Sequence, residues 1–349
     1  MKAILLAAGL GTRLLPLTRV LPKCLMPVHG RPLLEYWFRA LSAAGVEQFL
    51  VNTHHLPDMV RGYIQASPWA GRVRLVFEPE LLGTAGTLLA NAAFAAGEPV
   101  MLVHADNLCG ADLGSFIGAH ARRAAGVCMT MMSFYADTPQ NCGILELDAA
   151  GLVRGFYEKV ANPPHHNANA AVYIVDPDVI DFAAGLSRTT LDFSTEVIPR
   201  FLGRIQVWHN RVYHRDIGTL ASLFAAQEEY PAAAPALDLR PDPWHELCLA
   251  NNWELADRLA SALAAALALP EVRGLAPALP GPALHHLRES GELDRLRPGA
   301  PEAPGPGSAL LLDKAAPDGA VRCQEIIGRA WRYLVLCATH AQRSDGKAC

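Results

Sequence analysis

The chain has 349 residues, of which 51% are hydrophobic and 18% charged, and a formal net charge of −4. That length can bury a substantial core and suits one large domain with a smaller one. The weakly acidic balance gives no reason to expect nucleic acid or an anionic membrane as partner, and no run of about eighteen uncharged apolar residues reads as a membrane span.

The eight cysteines form no C-x-x-C pair, so reduced thiols in a cytoplasm are expected, neither a disulfide framework nor a zinc site. Met1-Lys2 leads directly into an apolar strand, which leaves nothing that reads as a cleavable signal.

That strand, Ala3 to Ala7, breaks into a glycine turn, Gly9-Leu10-Gly11-Thr12, followed by two fixed cations, Arg13 and Lys23. Small residues in a turn let backbone N–H groups approach a ligand closely, and such groups are ready donors for phosphate oxygens. Neither common phosphate template fits. Leu14 stands where a dinucleotide fingerprint needs a third small residue, and no Gly-Lys-Ser/Thr follows as a P-loop requires.

Pro32 to Ala44 has apolar residues at helical spacing and stops at Gly45; Gln48 to Asn52 reads as a strand, Pro57 to Ala66 as a helix and Val73 to Phe77 as a strand. The β-α-β-α-β order predicts a Rossmann-like, mostly parallel sheet with helices on both faces, whose ligand lies beyond the carboxyl ends of the strands. Three segments then converge on one edge: the glycine turn, Glu78 to Gly86, and His104 to Asn107 after the strand Pro99 to Val103. Asp106 closes an apolar strand with no Lys or Arg near it in sequence. A carboxylate so placed beside a phosphate site suits Mg²⁺, which takes oxygen ligands.

A helix is predicted from Gly83 to about Ala95 and another over Gly110 to Arg123, capped by Asn107 or Asp112. Strands at Val127–Phe134, Ile144–Leu147 and Leu152–Phe156, with a turn at Asp148 to Gly151, predict an antiparallel lobe over the open edge. Asp192 to Glu196 reads as a helix start with Ser or Thr as cap. Strands at Ile205–Trp208 and Val212–Tyr213 precede Asp216-Ile217-Gly218-Thr219 and a helix to about Glu229. His165-His166 reads as a solvated loop, since adjacent histidines point apart and no third ligand is apparent.

The unbroken spacing G-x-G-T-R-x-x-P-L-T-x-x-x-P-K-x-L-x-P-V, from Gly9 to Val28, closely resembles the opening motif of the sugar-1-phosphate nucleotidylyltransferases, which make NDP-sugars. The resemblance covers residues 1 to about 229. It implies that Leu6, Ala7, Gly9, Gly11, Thr12, Gly83 and Thr84 line a nucleotide pocket, and that Glu78 meets the base edge. It further implies that Arg13 and Lys23 are catalytic cations and that Asp106 and Asp216 hold a catalytic Mg²⁺. Gly143, Glu158, Lys159 and Asn169 would bind the sugar phosphate. Val160 and Ala171 depart from the frequent proline and glycine of the family.

A carboxylate accepts hydrogen bonds, and guanine offers two adjacent donors, so Glu78 favours GTP; the expected reaction is that of a mannose-1-phosphate guanylyltransferase. Glucose-1-phosphate uridylyl- or thymidylyltransferase is the alternative in the class. A non-catalytic NDP-sugar-binding regulator would be expected to have lost one of Arg13, Lys23, Asp106 or Asp216. A nicotinamide dehydrogenase would need an acidic residue closing the second strand, where Asn52-Thr53-His54 stands.

Residues 1–229 therefore read as the catalytic domain and 230–349 as an extension. Within the extension, 231–243 reads as a Pro-Ala-rich linker, 244–296 as mainly helical beginning with a helix over 244–267, and 297–306 as a second flexible stretch. Residues 309–333 carry a six-residue spacing like one vestigial coil of a β-helix. The extension's role, including self-association into a homo-oligomer, is left open.

Overall fold

A computed structural model describes residues 1–28 and 31–230, together with 258, 262, 265, 266 and 269. The chain divides into two compact units, one of residues 1–9, 34–57 and 71–216, the other of residues 10–33, 58–70 and 217–349.

The first unit is built on a nine-stranded sheet. Its strands are β1 (Lys2–Leu6), β2 (Gln48–Thr53), β3 (Val73–Phe77) and β4 (Val100–His104), then β6 (Met129–Tyr135), β7 (Gly143–Leu147), β8 (Val153–Glu158), β9 (Asn167–Val175) and β10 (Ile205–His209). A separate two-stranded ladder joins β5 (Asn107–Cys109) to β11 (His214–Asp216). The main sheet runs β8-β7-β9-β4-β1-β2-β3, with β6 on β9 and β10 on β6. Pairing is parallel across β4-β1-β2-β3 and antiparallel through β9.

Parallel neighbours on both sides explain why β1 is an unbroken apolar run: Ala3, Ile4 and Leu5 are fully buried. Helix α1 (Leu33–Ala43) presents Leu34, Trp37, Phe38 and Leu41 to the interior, and Phe38 packs on Phe49 of β2 at 5.2 Å between ring centroids. Ala85 and Leu88 of α3 (Gly83–Ala90) join Val179 and Ala183 of α5 (Pro177–Gly185) in one core with Ile4 and Leu102. Between them in sequence, α4 (Leu113–Ala121) is capped by Asp112, whose Oδ1 accepts from the Ser115 N–H at 3.1 Å.

Several boundaries differ from expectation, each for an identifiable reason. The helix expected to reach Ala95 ends at Ala90, because the Asn91 amide bonds the Thr87 carbonyl and starts a separate turn, Ala92–Ala95. The expected antiparallel lobe is part of the main sheet. Strand β9 pairs β4 with one end and β6 with its length, its register shifting between Asn169 and Tyr173, where Ala171 takes φ 55°. Asp192, not Ser or Thr, caps the turn that follows it, and Glu196 closes the box by accepting from the Asp192 N–H at 2.8 Å. The last strand lies at His214–Asp216 and not at Val212–Tyr213, because Asn107–Cys109 is its partner.

In the second unit, residues 10–33 fold as three single-turn helices, Thr12–Leu14, Leu17–Arg19 and Lys23–Leu25, before a short ladder of Pro27–Val28 on Arg31–Pro32. Leu14, Leu17, Leu21, Leu25 and Val28 are among its fully buried residues. Helix α2 (Pro57–Ala66) buries Val60, Tyr63 and Ile64. Helix α6 (Leu220–Glu229) is capped by the Thr219 hydroxyl, which accepts from the Ser222 N–H at 3.1 Å. The expected linker 231–243 and the segments at 270–296, 297–306 and 309–333 lie outside the described residues. Of the expected helix over 244–267, residues 258, 262, 265 and 266 are described and are helical.

Candidate active site

The carboxyl ends of β1, β2 and β3, neighbours in the sheet, are tied by one buried network. The Ala7 N–H donates to Asn52 Oδ1 at 2.7 Å, and Asn52 Nδ2 donates to Glu78 Oε1 at 2.9 Å. The Thr87 hydroxyl donates to the same Glu78 oxygen at 2.6 Å, while Glu78 Oε2 has the Leu82 N–H at 3.4 Å. Asn52 and Glu78 are only 3% and 4% exposed, so the network is an internal one. Leu6, Ala7 and Gly9 follow on the same edge: the Leu6 carbonyl accepts from the Ala105 N–H at 3.1 Å, and a Cβ on Gly9 would meet no atom within 4 Å.

Gly83 and Gly86 have a packing cause. A Cβ on Gly83 would press into the Leu191 backbone, and one on Gly86 would come within 2.5 Å of the Thr189 carbonyl. The Thr84 hydroxyl accepts from the Phe193 N–H at 2.7 Å and lies 3.4 Å from Asp192 Oδ2. Those contacts bind the start of α3 to the 189–193 segment.

Asp106 leaves β4 and enters β5, and Asp216 ends β11. The ladder sets Asp216 opposite Asn107, the residue after Asp106. Two residues more than a hundred apart in sequence thus have their backbones near one end of a small ladder, Asp216 within it and Asp106 just before it. Asp216 is exposed and Asp106 half-buried. Burial pushes the neighbouring His214 imidazole down to about 4, against the pull of the Asp106 charge. Among the described residues no three His, Cys, Asp or Glu side chains group as a metal cage. An oxygen-only pair fits Mg²⁺, which is commonly held by one or two carboxylates with substrate phosphates completing its shell.

Glu158 faces Gly143 across the β7–β8 ladder, and a Cβ on Gly143 would sit 2.7 Å from Glu158 Oε2 and 2.5 Å from the Phe156 ring. Bare glycine gives that carboxylate its place. Lys159, with φ 48°, pairs its ammonium with Glu158 Oε1 at 3.1 Å. Asn169 is locked on both sides, Oδ1 accepting from the Ala171 N–H at 2.9 Å and Nδ2 donating to the Tyr173 hydroxyl at 2.6 Å. Burial raises the Tyr173 phenol well above its usual range, and the Glu158 carboxylate adds to this. Burial also raises the Cys142 thiol, helped by the charges of Asp216 and Glu158, so these two carboxylates act on one neighbourhood.

The remaining expected residues belong to the second unit. Gly11 has φ 62°, and a Cβ there would lie 2.7 Å from the Thr18 methyl and 3.3 Å from Lys23 Cβ. Its carbonyl accepts from the Leu14 N–H at 2.8 Å and the Thr18 hydroxyl at 3.0 Å. Glycine makes that turn without the strain and the close contact with Thr18 that a side chain would bring. Thr12 and Arg13 are exposed, whereas Lys23 is buried.

Sequence reading missed Asn52, Thr87, Tyr173 and Asp192. A polar amide closing an otherwise apolar parallel strand was the available sign for Asn52; Thr87 and Tyr173 gave none, since their partners are set by tertiary packing.

A mixed, mostly parallel sheet with a glycine turn after its first strand, and a small ladder bearing Asp216 just after Asp106, has the form of a nucleotide-handling α/β protein. The Nucleotidyl transferase family model matches residues 2–233, and the chain belongs to that family. It is 29% identical to a mannose-1-phosphate guanylyltransferase of Mycobacterium tuberculosis over 62% of this chain and 61% of that protein. It is 34% identical to a glucose-1-phosphate thymidylyltransferase of Actinoplanes sp. over 65% of this chain and 77% of that one. Against a Xanthomonas campestris glucose-1-phosphate thymidylyltransferase it covers 63% of the relative, so the chain spans about three fifths of the length of some curated relatives. The crystal structure of HddC from Yersinia pseudotuberculosis, complexed with GMP-PN, superposes with a TM-score of 0.56 at 22% identity, covering 66% of this chain and 99% of that one. No helix among the described residues is long and apolar enough to cross a membrane.

Proposed function

We propose that this chain is a Mg²⁺-dependent sugar-1-phosphate nucleotidylyltransferase that makes GDP-mannose and pyrophosphate from GTP and mannose-1-phosphate. The observation that supports the reading is the pairing of Asp216 with Asn107, which sets the backbone positions of Asp106 and Asp216 near one end of a small ladder. Family membership and the guanylyltransferase relatives support it.

In the reaction a phosphate oxygen of the sugar phosphate forms a bond to the α-phosphorus of the nucleotide, and the bond from that phosphorus to the β-phosphate bridge oxygen breaks in line. The protein has to align two anions and stabilise charge growing on pyrophosphate, which needs no covalent nucleophile. Arg13 neutralises the leaving phosphates and Lys23 the phosphates about the transition state. Asp106 and Asp216 would hold Mg²⁺, which would supply neutralisation of phosphate charge. Leu6, Ala7, Gly9, Gly11, Thr12, Gly83 and Thr84 line the nucleotide, and Glu78 meets the base edge. Glu158 and Asn169 bind sugar hydroxyls, the Gly143 backbone approaches the sugar, and Lys159 meets its phosphate. We assign catalysis to residues 1–229 and treat 230–349 as an extension.

Glucose-1-phosphate thymidylyl- or uridylyltransfer is the second reading, supported by the Actinoplanes relative and by a 24% identical UTP–glucose-1-phosphate uridylyltransferase of Synechocystis sp.. Pyrophosphate release from a panel of NTPs and sugar-1-phosphates decides between them. Turnover of UTP but not GTP overturns the guanylyl reading, and turnover of no pair overturns the class in favour of a non-catalytic binder.

A further inference from the structure

Asn107 opens β5 immediately after Asp106, and in the ladder it is the residue opposite Asp216. Its carbonyl accepts from Trp37 Nε1 at 2.8 Å, and its side-chain Nδ2 donates to the Ala170 carbonyl at 3.2 Å. Ala170 lies where the register of β9 on β6 shifts, between the pairings of Asn169 and Tyr173, and the pairing of β9 with β4 begins only at Val172. A bulge leaves backbone groups outside the ladder, and a buried carbonyl so placed needs another partner. The Asn107 amide supplies it.

The same bulge holds Asn169, whose Oδ1 accepts from the Ala171 N–H at 2.9 Å with Ala171 at φ 55°. One buried side chain therefore fastens two main-chain segments. It belongs to the residue next to Asp106, and it binds the residue next to Asn169.

Resting on the nucleotidyltransferase reading, we propose that Asn107 is a positioning residue that sets the metal-holding and sugar-holding ends of the site relative to each other. Its main chain fixes where the Asp106 and Asp216 backbones lie at the end of the ladder, and its side chain fixes the bulge that carries Asn169. Leucine at this position keeps about the same volume and cannot donate to Ala170. Phenylalanine at position 37 keeps an aromatic ring and cannot donate to the Asn107 carbonyl, while the bond to Ala170 stays.

Three affinities of the full chain test this in Asn107→Leu and Trp37→Phe. They are Mn²⁺ by spin resonance, the better bound of mannose-1-phosphate and glucose-1-phosphate by calorimetry, and the preferred nucleoside triphosphate by calorimetry in EDTA, with pyrophosphate release measured alongside. Groups that orient metal ligands typically contribute roughly 10–100-fold to metal affinity, so Asn107→Leu is expected to bind Mn²⁺ and the sugar phosphate each about tenfold more weakly, with nucleotide affinity within about threefold of wild type. Trp37→Phe is expected to lose about tenfold in Mn²⁺ affinity alone. Asn169→Ala is expected to weaken sugar phosphate binding about tenfold in the wild type and less than about threefold in Asn107→Leu, because the released bulge no longer presents Asn169. A merely structural role would weaken all three ligands alike. Uniform loss across the three, Mn²⁺ and sugar phosphate affinities unmoved in Asn107→Leu, or additive effects of Asn107→Leu and Asn169→Ala overturn the proposal. The selective losses in a chain that releases no pyrophosphate with any substrate pair would overturn the reaction while leaving the positioning role standing.

Discussion

Asp216 stands directly across a three-residue antiparallel ladder from Asn107, the residue that follows Asp106. Asn107 is itself held from two sides, its carbonyl accepting from Trp37 Nε1 at 2.8 Å and its amide donating to the Ala170 carbonyl at 3.2 Å. The backbone carrying Asp106 is thereby anchored to α1 and β9, and Asp216 is registered against that anchor.

Replacing Asp106 or Asp216 by Asn removes charge while keeping shape. Either variant is expected to lose roughly 3 kcal/mol of transition-state stabilisation, a hundredfold or more in kcat/KM. Mn²⁺ used as a spin probe should bind more weakly to both. Unchanged Mn²⁺ binding in both variants would separate these carboxylates from the metal.

The two cations differ in setting. Arg13→Ala, at an exposed site, is expected to lower the rate about a hundredfold while moving stability by no more than about 0.5 kcal/mol. Lys23 is buried with its stem against Gly11, so Lys23→Met is the variant that keeps the packing; the same loss of rate is expected with the fold retained. Steady-state kinetics beside urea unfolding reads both effects, and wild-type rates in either variant would remove that cation from the chemistry.

Much of this was legible in the chain. The apolar first strand, the Gly45 stop, the Asp112 cap, the Asp148–Gly151 turn and the exit of Asp106 from a strand all follow from local chemistry. What was not legible depended on partners far away in sequence. Asp216 lies in a strand, although its Gly-Thr neighbours read as a helix start, because Asn107 pairs with it. Glu78 reads as a strand-end residue, and its burial depends on Asn52 and Thr87 from other elements. Gly83 and Gly143, expected to line the ligand, also have a packing cause that sequence does not show, since the space a Cβ would need is filled by the Leu191 backbone or by Glu158 and Phe156.

Ala171 shows the same point energetically, for it occupies the left-handed region at φ 55° in the β9 bulge. A Cβ there costs about 1–2 kcal/mol, partly offset by the greater freedom glycine brings to the unfolded chain. Ala171→Gly should raise stability by about 0.5–1 kcal/mol in urea unfolding; a loss of that size would contradict the account of the bulge.

His120 is buried between the Thr130 hydroxyl at 2.7 Å and Asp176 at 3.2 Å, and Arg123 bonds the same carboxylate at 2.8 Å. Burial, then Arg123, holds its imidazole below the usual 6.5, with Asp176 opposing. The unfolded chain therefore takes up a proton near 6.5 that the folded chain resists, so stability is level above that pH and falls as pH drops below it. His209, also lowered by burial, acts in the same direction. His120→Gln should flatten the decline in urea midpoint between about pH 6.5 and 5; an equal decline in variant and wild type would contradict this.

Nucleotidyl transfer to the sugar phosphate is most directly tested by isotope position. With mannose-1-phosphate whose three non-bridging phosphate oxygens are ¹⁸O, incubated with GTP and Mg²⁺, mass spectrometry should find all three labels in GDP-mannose and none in pyrophosphate. Label in pyrophosphate or in free phosphate, or no labelled nucleotide sugar with any NTP, would contradict attack of the sugar phosphate on the α-phosphorus.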